Sequence, residues 1–317
     1  MTYMRLYRYG PHTIGSRLVF PELCSAPFER PSIMFGIRRA HGRYLRATRV
    51  RIWKTDDGHV QGSLYRTTDG YLIHFNRLAR FYISSDLASV WCSPFNGATI
   101  PLIRHLFLDL VMPHVLSLAG IPVLHASAIE YDGRAVVFAG ETGAGKSTIA
   151  AALGRQPGRI LADDCVVFSE HTNEFHASAP YPSLRLWEDS AAALEMGFGH
   201  PGHRPGKRRF ASSSRVMFST GAAPLDAICL LDRSESSECL ALTRLPLRDA
   251  VVILVRHAFK FDGGERSFLE REFRFLTRLV RSVPSYRLAI PDSFDGLPLI
   301  HRLVIDAVRC DRTRRIA

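Results

Sequence analysis

Residues 140–147, with the sequence Gly-Glu-Thr-Gly-Ala-Gly-Lys-Ser, decide the fold because they match the phosphate-loop pattern GxxxxGK[ST]. The β-rich run 134–139 precedes this loop, and the helix-favouring run 148–153 follows it. A strand, a Gly-rich turn and a helix in this order direct backbone N–H groups and the positive end of the helix dipole at one point. The pattern therefore predicts a polyphosphate site in which Lys146 reaches the β- and γ-phosphates and the Ser147 hydroxyl binds Mg²⁺.

The composition is typical of a soluble globular protein and not of a disordered chain. The 317 residues are 46% hydrophobic and 22% charged, which suits one large or two ordinary domains. The formal net charge of +11 comes almost wholly from arginine, because the chain has only four lysines. No alternation of aromatic and basic residues indicates a groove for single-stranded nucleic acid. We therefore expect no nucleic-acid partner, and a basic nucleic-acid module is an alternative that rests on charge alone.

The six cysteines form neither a CxxC motif nor a Cys/His cluster, so they indicate no zinc site and no disulfide framework. Residues 1–5 lack the apolar core of a signal peptide. The most apolar stretch, 100–124, is interrupted by charged residues and by Pro113, which makes it a poor candidate for a membrane span. These features predict a cytoplasmic protein with no membrane partner.

The pattern of the chain changes near residue 120. Residues 1–95 alternate short apolar runs with Asp-Gly turns, which predicts a β-meander with strands near 44–53, 60–65, 71–75 and 80–83. Residues 102–118 predict an amphipathic helix that Pro113 kinks or splits and that links the two parts. We therefore expect a β-rich N-terminal domain with a linking helix over 1–120 and a second domain over 121–317.

The second domain alternates strand and helix patterns, which predicts an α/β fold. An Asp-Gly turn at 132–133 predicts a hairpin that leads into the phosphate loop. Residues 196–214 are rich in Gly, Pro, Ser and basic residues and predict a mobile loop. The expected strands are 123–129, 135–139, 159–162, 165–168, 224–232 and 286–290, and the expected later helices are 248–259, 267–283 and 298–308.

Asp163 and Asp164 end the next predicted strand after the loop. Beside a bound triphosphate, one carboxylate can hold Mg²⁺ directly or through water. The second can orient an attacking hydroxyl or take its proton. A solvated Asp-Asp turn is the alternative interpretation, and the nearby phosphate loop favours the chemical one.

His125 is expected on a strand paired with the strand that delivers the phosphate loop. There it would lie near the γ-phosphate and, if protonated, would stabilise negative charge on the transferred group. A single histidine beside apolar Val123 and Leu124 is also typical of a core residue, so both interpretations stay open.

The order of these motifs resembles the catalytic core of HPr serine kinase/phosphorylase. The runs 125–129 (HASAI), 140–147 and 161–164 (LADD) correspond to the His, phosphate loop and Ala-Asp-Asp of that family. Residues 181–187 (YPSLRLW), with 206–209 (GKRR) and 224–228 (PLDAI), are similar to HPr-kinase-like proteins of bacterial peptide-biosynthesis clusters. Some of those proteins phosphorylate the C-terminal serine of lasso-peptide precursors. The resemblance covers about 121 to 305.

The resemblance implies the P-loop kinase fold of the HPr kinase/phosphoenolpyruvate carboxykinase type, an α/β fold with a mixed sheet, preceded here by a small mainly-β domain. It implies a Mg²⁺/ATP-dependent kinase that transfers the γ-phosphoryl group to a serine of a peptide or protein. The family's Gly-rich acceptor-docking signature is replaced here by 181–187, so HPr is not the expected acceptor. The family assembles into hexamers, which leaves a homo-oligomer open.

The resemblance also implies roles for individual residues. Asp163 would be the base and Asp164 the carboxylate beside Mg²⁺, although the order of these two roles is open. His125 and Lys146 complete the expected catalytic set, and Ser147 joins Asp164 as a Mg²⁺ ligand. The expected nucleotide-binding residues are Gly140, Glu141, Thr142, Gly143, Ala144, Gly145, Lys146, Ser147 and Thr148.

Three basic residues become candidates for phosphate or acceptor contacts, namely Arg185, Lys207 and Arg208. A guanidinium binds phosphate or carboxylate with two parallel hydrogen bonds, which suits such a role. Solvated basic residues of a loop are the alternative interpretation.

A phosphate loop also occurs in ATPases and in nucleotide-gated regulatory or binding proteins that have no phosphoryl acceptor. A transporter motor of the ABC class needs an LSGGQ-like signature between the loop and a later acidic strand. The chain lacks such a signature, and its acidic pair follows the loop too soon. An ATPase or gated binding protein of another class is the alternative function.

Overall fold

The computed structural model describes residues 3–38, 47–54, 58–155, 157–197, 199–202, 206–212, 216–233, 240–259 and 266–316, with side chains up to residue 313. The chain divides into two compact units. The first contains Met1–Ile121 and Phe259–Arg271, and the second contains Pro122–Ala258 and Glu272–Ala317. The first unit therefore ends close to the predicted boundary at residue 120, but it also includes Phe259–Arg271, which the prediction assigned to the second domain.

An eight-stranded sheet forms the first unit. Its strands are β1 (Arg5–Tyr9), β2 (His12–Ser16), β3 (Ile33–Ile37), β4 (Thr48–Lys54), β5 (Val60–Thr67), β6 (Gly70–Phe75), β7 (Ala79–Ser84) and β8 (Ser89–Pro94). Their order in the sheet is β1-β2-β3-β8-β7-β6-β5-β4. Strands β4 to β8 pair antiparallel as in the predicted meander, whereas β3 pairs in parallel with both β2 and β8. Part of the predicted strand at 44–53 lies outside the described residues.

The predicted helix at 102–118 is a run of α1 (Ile100–His105), a π-helical segment (Leu106–Val111) and α2 (Met112–Leu118). Pro113 lies in the first turn of α2. A proline there needs no intrahelical N–H bond, and the preceding π-turns shift the carbonyls with which its ring would clash in a continuous α-helix. The π-segment therefore accommodates the proline that was expected to kink or split the helix.

The run from Ile100 to Leu118 is, among the described residues, the one helix long and apolar enough to cross a bilayer by length and composition alone. About three fifths of its most apolar window, 61%, is buried inside the protein. Within this run, Phe107 stacks on Phe35 with 3.9 Å between ring centroids. Packing in the core of the first unit accounts for its apolar composition.

A nine-stranded sheet forms the second unit. Its strands are β9 (Val123–Leu124), β10 (Ala126–Tyr131), β11 (Arg134–Ala139), β12 (Arg159–Ala162), β13 (Val166–His171), β14 (Glu174–Ser178), β18 (Ala223–Arg233), β19 (Ala241–Arg244) and β20 (Ser285–Ile290). The main path through the sheet is β12-β10-β11-β18-β14-β13-β9, and β20 pairs with both β18 and β19. The β11–β18 and β18–β20 pairs are parallel and the others are antiparallel, so the sheet is mixed.

The predicted hairpin before the phosphate loop is confirmed. Strands β10 and β11 pair from Ala126 opposite Ala139 to Tyr131 opposite Arg134. Asp132 and Gly133 form the turn with φ values of +51° and +71°. Two residues with positive φ are what a tight turn between right-twisted strands requires, and Asp-Gly provides them at low strain.

Helices cover both faces of this sheet. The helices are α3 (Lys146–Leu153), α4 (Glu188–Ala193), α5 (Leu247–His257), α6 (Arg266–Ser282) and α7 (Leu297–Ile316). Residues of α5 and α6 share one buried cluster with alternate side chains of β11, including Val137, and residues of α3 and α7 share another with Phe138. Because β11 is buried on both faces, its carboxyl end is rigidly placed where the candidate phosphate loop begins.

A small antiparallel sheet contains two short strands from the region that was predicted to be a mobile loop. Strand β17 (Lys207–Arg209) pairs with β15 (Arg185–Trp187) on one side and with β16 (His200–Pro201) on the other. The loop prediction for 196–214 is therefore wrong for β16 and β17, and residues 198, 203–205 and 213–214 of the predicted loop lie outside the described residues. Gly and Pro dominate the local pattern, whereas the pairing partner β15 is distant in sequence and left no signal there.

Candidate functional site

The candidate phosphate loop connects β11 to α3, and its glycines are needed for backbone shape. Gly143 and Gly145 have φ values of +86° and +92°, in the left-handed region that strains other residues. At position 140, an added Cβ would meet the Cβ of Leu231 at 3.1 Å and its carbonyl oxygen at 3.2 Å. These contacts are tighter than most Cβ atoms make, so any larger residue at this position would require the loop or β18 to shift by a few tenths of an ångström.

Lys146 begins α3 and turns its ammonium back into the loop. Its Nζ donates to the carbonyl oxygens of Gly140 and Glu141, both at 2.9 Å, and the side chain is buried. Burial lowers the pKa of Lys146, while Asp164, Asp163 and Glu141 oppose that shift. The ammonium therefore lies where a phosphate held by the loop N–H groups would meet it.

Asp163 follows β12 and is buried, with 5% of its surface exposed. The Ser127 hydroxyl donates to Oδ1 at 2.8 Å, the Arg185 backbone N–H donates to Oδ2 at 2.9 Å, and the Ser147 hydroxyl donates to the same carboxylate. Burial and the neighbouring Asp164 raise the pKa of Asp163 to about 6, although these hydrogen bonds favour the charged form. The alternative of a solvated Asp-Asp turn is thus wrong for Asp163.

A carboxylate with a pKa near neutrality is suited to general-base catalysis, because it is ionised at pH 7 and still accepts a proton readily. Its contact with Ser147 places Asp163 beside the first turn of α3, next to the candidate phosphate loop. The structure therefore brings together the loop, its lysine and the first acidic residue of the pair.

Asp164 has a different environment from Asp163. Its φ of +63° is left-handed, a conformation that Asp tolerates better than most residues. Its backbone carbonyl accepts a hydrogen bond from Nδ1 of His125 at 3.0 Å, and its Oδ2 accepts one from Nη1 of Arg185 at 3.1 Å. With 21% of its side chain exposed, Asp164 is the more accessible of the two carboxylates.

His125 lies in the break between β9 and β10, not inside a strand as predicted. Strand β9 pairs with β13, whereas β10 pairs with β11 and β12, so the chain changes partners at this residue. The His125 backbone N–H donates to the carbonyl of His257 at 2.8 Å. The prediction missed this break because the run from Val123 to Ile129 contains no Gly or Pro that would mark an interruption.

The protonation state of His125 also differs from the one its expected role requires. Burial lowers the pKa of His125; Asp164 raises it, whereas Lys146 and Lys207 lower it further. With Nδ1 donating to Asp164, the neutral ring carries its lone pair on Nε2. A protonated His125 would therefore require the negative charge of a bound phosphate to raise its pKa.

Arg185 is buried, with 5% exposed, and lies at the start of β15. Its Nη1 donates to Asp164, and its Nη2 donates to the Tyr181 hydroxyl at 3.0 Å. The alternative of a solvated loop residue is wrong for Arg185. In this structure its guanidinium is the counter-ion of Asp164.

Lys207 and Arg208 are neighbours on β17 but have different surroundings. The ammonium of Lys207 lies 5.8 Å from the ring centroid of Trp187 and acts electrostatically on both His125 and Lys146. Arg208 forms an exposed ion pair with Glu188 at 2.7 Å. Of the two basic residues, the structure therefore brings Lys207 toward the site, and Arg208 is engaged elsewhere.

Sequence reasoning missed several residues that contact this site. Ser190 of α4 is one of them, and its hydroxyl accepts a hydrogen bond at 3.1 Å from the hydroxyl of Thr148, a residue that was predicted to bind nucleotide. Arg233, at the end of β18, donates to the carbonyl of Gly143 at 3.1 Å. Ser127, which donates to Asp163, was also missed. It lies two residues after His125 in the HASAI run, and this spacing could have identified it. The other missed residues depend on tertiary contacts and are Tyr181, Ser190, Arg233 and His257.

The oxygen ligands that the site offers are compatible with Mg²⁺. Among the described residues, no group of three or more His, Cys, Asp or Glu side chains is placed to hold a metal ion. Mg²⁺ commonly binds through one or two carboxylates together with substrate phosphates and water. Asp164 and Ser147 fit this type of site, in which the nucleotide completes the coordination.

We expect Arg185→Met to lower the free energy of unfolding by about 3 kcal/mol, because the substitution removes the guanidinium from a buried ion pair and with it part of the compensation of the Asp164 charge. Arg208→Met is the matched control, since its exposed pair with Glu188 is worth at most about 1 kcal/mol. Urea denaturation at pH 7.5 would measure both. Equal small losses in the two variants would contradict the assignment of Arg185 as a buried counter-ion.

The chain matches no protein-family model and no curated protein sequence. Among solved structures, it is similar to the HPr(Ser) kinase/phosphatase from Coxiella burnetii, with 12% sequence identity and a TM-score of 0.34. The match covers 61% of this chain and 94% of that one. This structure is a distant neighbour, and the chemical interpretation rests on the residues described above.

Proposed function

We propose that this chain is an HPr-kinase-like enzyme that transfers the γ-phosphoryl group of ATP, with Mg²⁺, to a hydroxyl acceptor. The main support for this proposal is the environment of Asp163. This buried carboxylate has a raised pKa and accepts a hydrogen bond from Ser147, the residue after the loop lysine. A base beside a phosphate-binding loop is the arrangement that phosphoryl transfer to an alcohol requires.

The residues have separate roles in this proposal. Backbone N–H groups of 140–145 and the Lys146 ammonium bind the phosphates and position the γ-phosphoryl group. Asp163 accepts the proton of the acceptor hydroxyl as the hydroxyl oxygen attacks the γ-phosphorus, and the bond from that phosphorus to the β–γ bridging oxygen breaks to release ADP. Ser147 and Asp164 would hold Mg²⁺, which when bound neutralises charge on the phosphates. His125 faces the same region and gains a proton more readily once phosphate is present.

The proposed acceptor is a serine of a peptide or protein, and a lasso-peptide precursor with a C-terminal serine is the specific candidate. Its support is the similarity of residues 181–187, 206–209 and 224–228 to kinases of peptide-biosynthesis clusters. A kinase that uses ATP would act in the cytoplasm, where this donor is abundant. Assembly into a homo-oligomer is part of the same proposal.

The test is incubation of the full chain with Mg²⁺, ATP and a synthetic peptide that ends in serine, followed by mass spectrometry. We expect the peptide to gain one phosphate group. The same peptide with a terminal alanine is the control and should remain unmodified. Release of inorganic phosphate at a rate independent of any acceptor would contradict the kinase proposal and favour the ATPase alternative.

A further inference from the structure

A second histidine, His257, is attached to the candidate site through its backbone. It is the last residue of α5, and its carbonyl accepts the N–H of His125 at 2.8 Å. The next residue, Ala258, forms an isolated β-bridge with Leu124. The carboxyl end of α5 is therefore joined to the break between β9 and β10, where His125 lies.

The imidazole ring of His257 is enclosed near the phosphate loop, and the residue has 7% of its surface exposed. The groups that act on it electrostatically are Glu141 and Lys146 from the loop side, His125, and Arg256 of its own helix. None of the described residues forms a hydrogen bond with its ring nitrogens. The neutral ring thus keeps an N–H donor for a ligand in this region.

Burial lowers the pKa of His257; Glu141 raises it, while Lys146, His125 and Arg256 lower it further. A phosphate chain in the loop would add negative charge near this ring and raise the pKa. The carboxyl end of an α-helix also favours a protonated imidazole. The ring is therefore placed to be neutral before phosphate binds and to gain a proton when it binds.

We propose that His257 is a phosphate-binding residue of this site, which donates a hydrogen bond to a bound polyphosphate and takes up a proton on binding. The inference rests on the proposed nucleotide site and adds to it a ligand from α5. Proton uptake on binding makes affinity increase as pH falls. The increase occurs between the pKa of the ring in the phosphate-bound protein and its lower pKa in the phosphate-free protein.

His257→Gln tests this inference because it removes the ring and leaves the backbone carbonyl that holds His125. Calorimetry of inorganic pyrophosphate binding, in two buffers with different ionisation enthalpies, reports the protons taken up. We expect the variant to take up fewer protons than the wild type and to bind about tenfold more weakly at pH 6, with a smaller loss at pH 8. Pyrophosphate has its own titration, so the difference between the two proteins is the quantity that counts.

His171→Gln is the matched control, because His171 is an exposed residue of the β13–β14 hairpin. Equal proton uptake and equal affinity in wild type and His257→Gln would overturn the inference while leaving the phosphate site intact. A wild-type protein that binds neither pyrophosphate nor ATP would overturn the proposed function as well. If His257→Gln does not fold, nitrogen NMR of the wild-type ring decides, and a His257 pKa unchanged by pyrophosphate would overturn the inference.

Discussion

An Asp163→Asn variant is expected to transfer phosphate about 10²–10⁴-fold more slowly than the wild type, because the substitution removes the general base. Nucleotide binding should change little, since Asp163 lies beside the loop and is not part of it. Asparagine preserves the local geometry. Its Oδ1 can accept from the Arg185 N–H, and its amide can donate to the Ser127 hydroxyl, which can rotate to accept.

The same variant should be more stable than the wild type at pH 8. The pKa of Asp163 is about 6 in the folded protein against a reference value of 3.8, so the folded state binds more protons between these values. The free energy of unfolding of the wild type therefore falls as pH rises through this window and stays lower above it. One pKa unit corresponds to about 1.4 kcal/mol, so a shift of about two units makes the expected gain in Asp163→Asn about 3 kcal/mol.

Steady-state kinetics and urea denaturation at pH 4.5 and pH 8 would measure the two effects. The stability difference between Asp163→Asn and wild type should be large at pH 8 and small at pH 4.5, where Asp163 is mostly protonated. Asp306→Asn, a change at an exposed position of α7, is the control and should alter neither property. Full activity in Asp163→Asn would refute the assignment of Asp163 as the base. A stability difference between variant and wild type that is the same at pH 4.5 and pH 8 would show that burial does not raise the pKa of Asp163.

A Lys146→Met variant should lose both nucleotide affinity and transfer. Methionine retains much of the buried stem but removes the ammonium that lies between the carbonyls of Gly140 and Glu141. Loss of a charged hydrogen bond to phosphate should weaken ATP binding about 10–100-fold. Loss of charge stabilisation on the transferred group should lower kcat by at least about 10²-fold.

Calorimetry with ATP would measure the affinity, and the peptide phosphorylation assay would measure turnover. Lys54→Met replaces an exposed lysine of the first unit and serves as the control for loss of one positive charge. Wild-type ATP affinity in Lys146→Met would mean that residues 140–147 do not bind phosphate. Asp163→Asn and Lys146→Met together separate nucleotide binding from phosphoryl transfer. Only Lys146→Met should lose binding, whereas both variants should lose transfer.

Elements whose signals are local were predictable from the sequence. The Asp132-Gly133 turn specifies a tight hairpin because these residues accept positive φ. The strand, loop and helix around residues 140–147 follow from a β-rich run, glycines and a helix-favouring run. The buried strand near 224–232 and the helices near 248–259 and 267–283 were also found, because their apolar periodicity extends over enough residues to be distinctive.

Pairings between distant segments were not predictable. The parallel pairing of β3 with β2 and β8 requires long connections whose course no local pattern encodes. Strands β16 and β17 of the small sheet form in a region whose Gly and Pro content predicts a loop, and they pair with β15, which lies earlier in the chain. The break at His125 arises because neighbouring residues pair with different strands, and no Gly or Pro marks it in the sequence.

The sequence by itself determined which chemical groups are present and that eight consecutive residues match a phosphate-loop pattern between a strand and a helix, since glycine conformations and helix dipoles are properties of short segments. Only the tertiary structure decided which of those groups are buried and which are paired. It raised the pKa of Asp163 and paired Arg185 with Asp164. It also brought His257 to His125. Burial and charge pairing depend on the packing of segments far apart in the chain, and these two effects turn ordinary side chains into a candidate site.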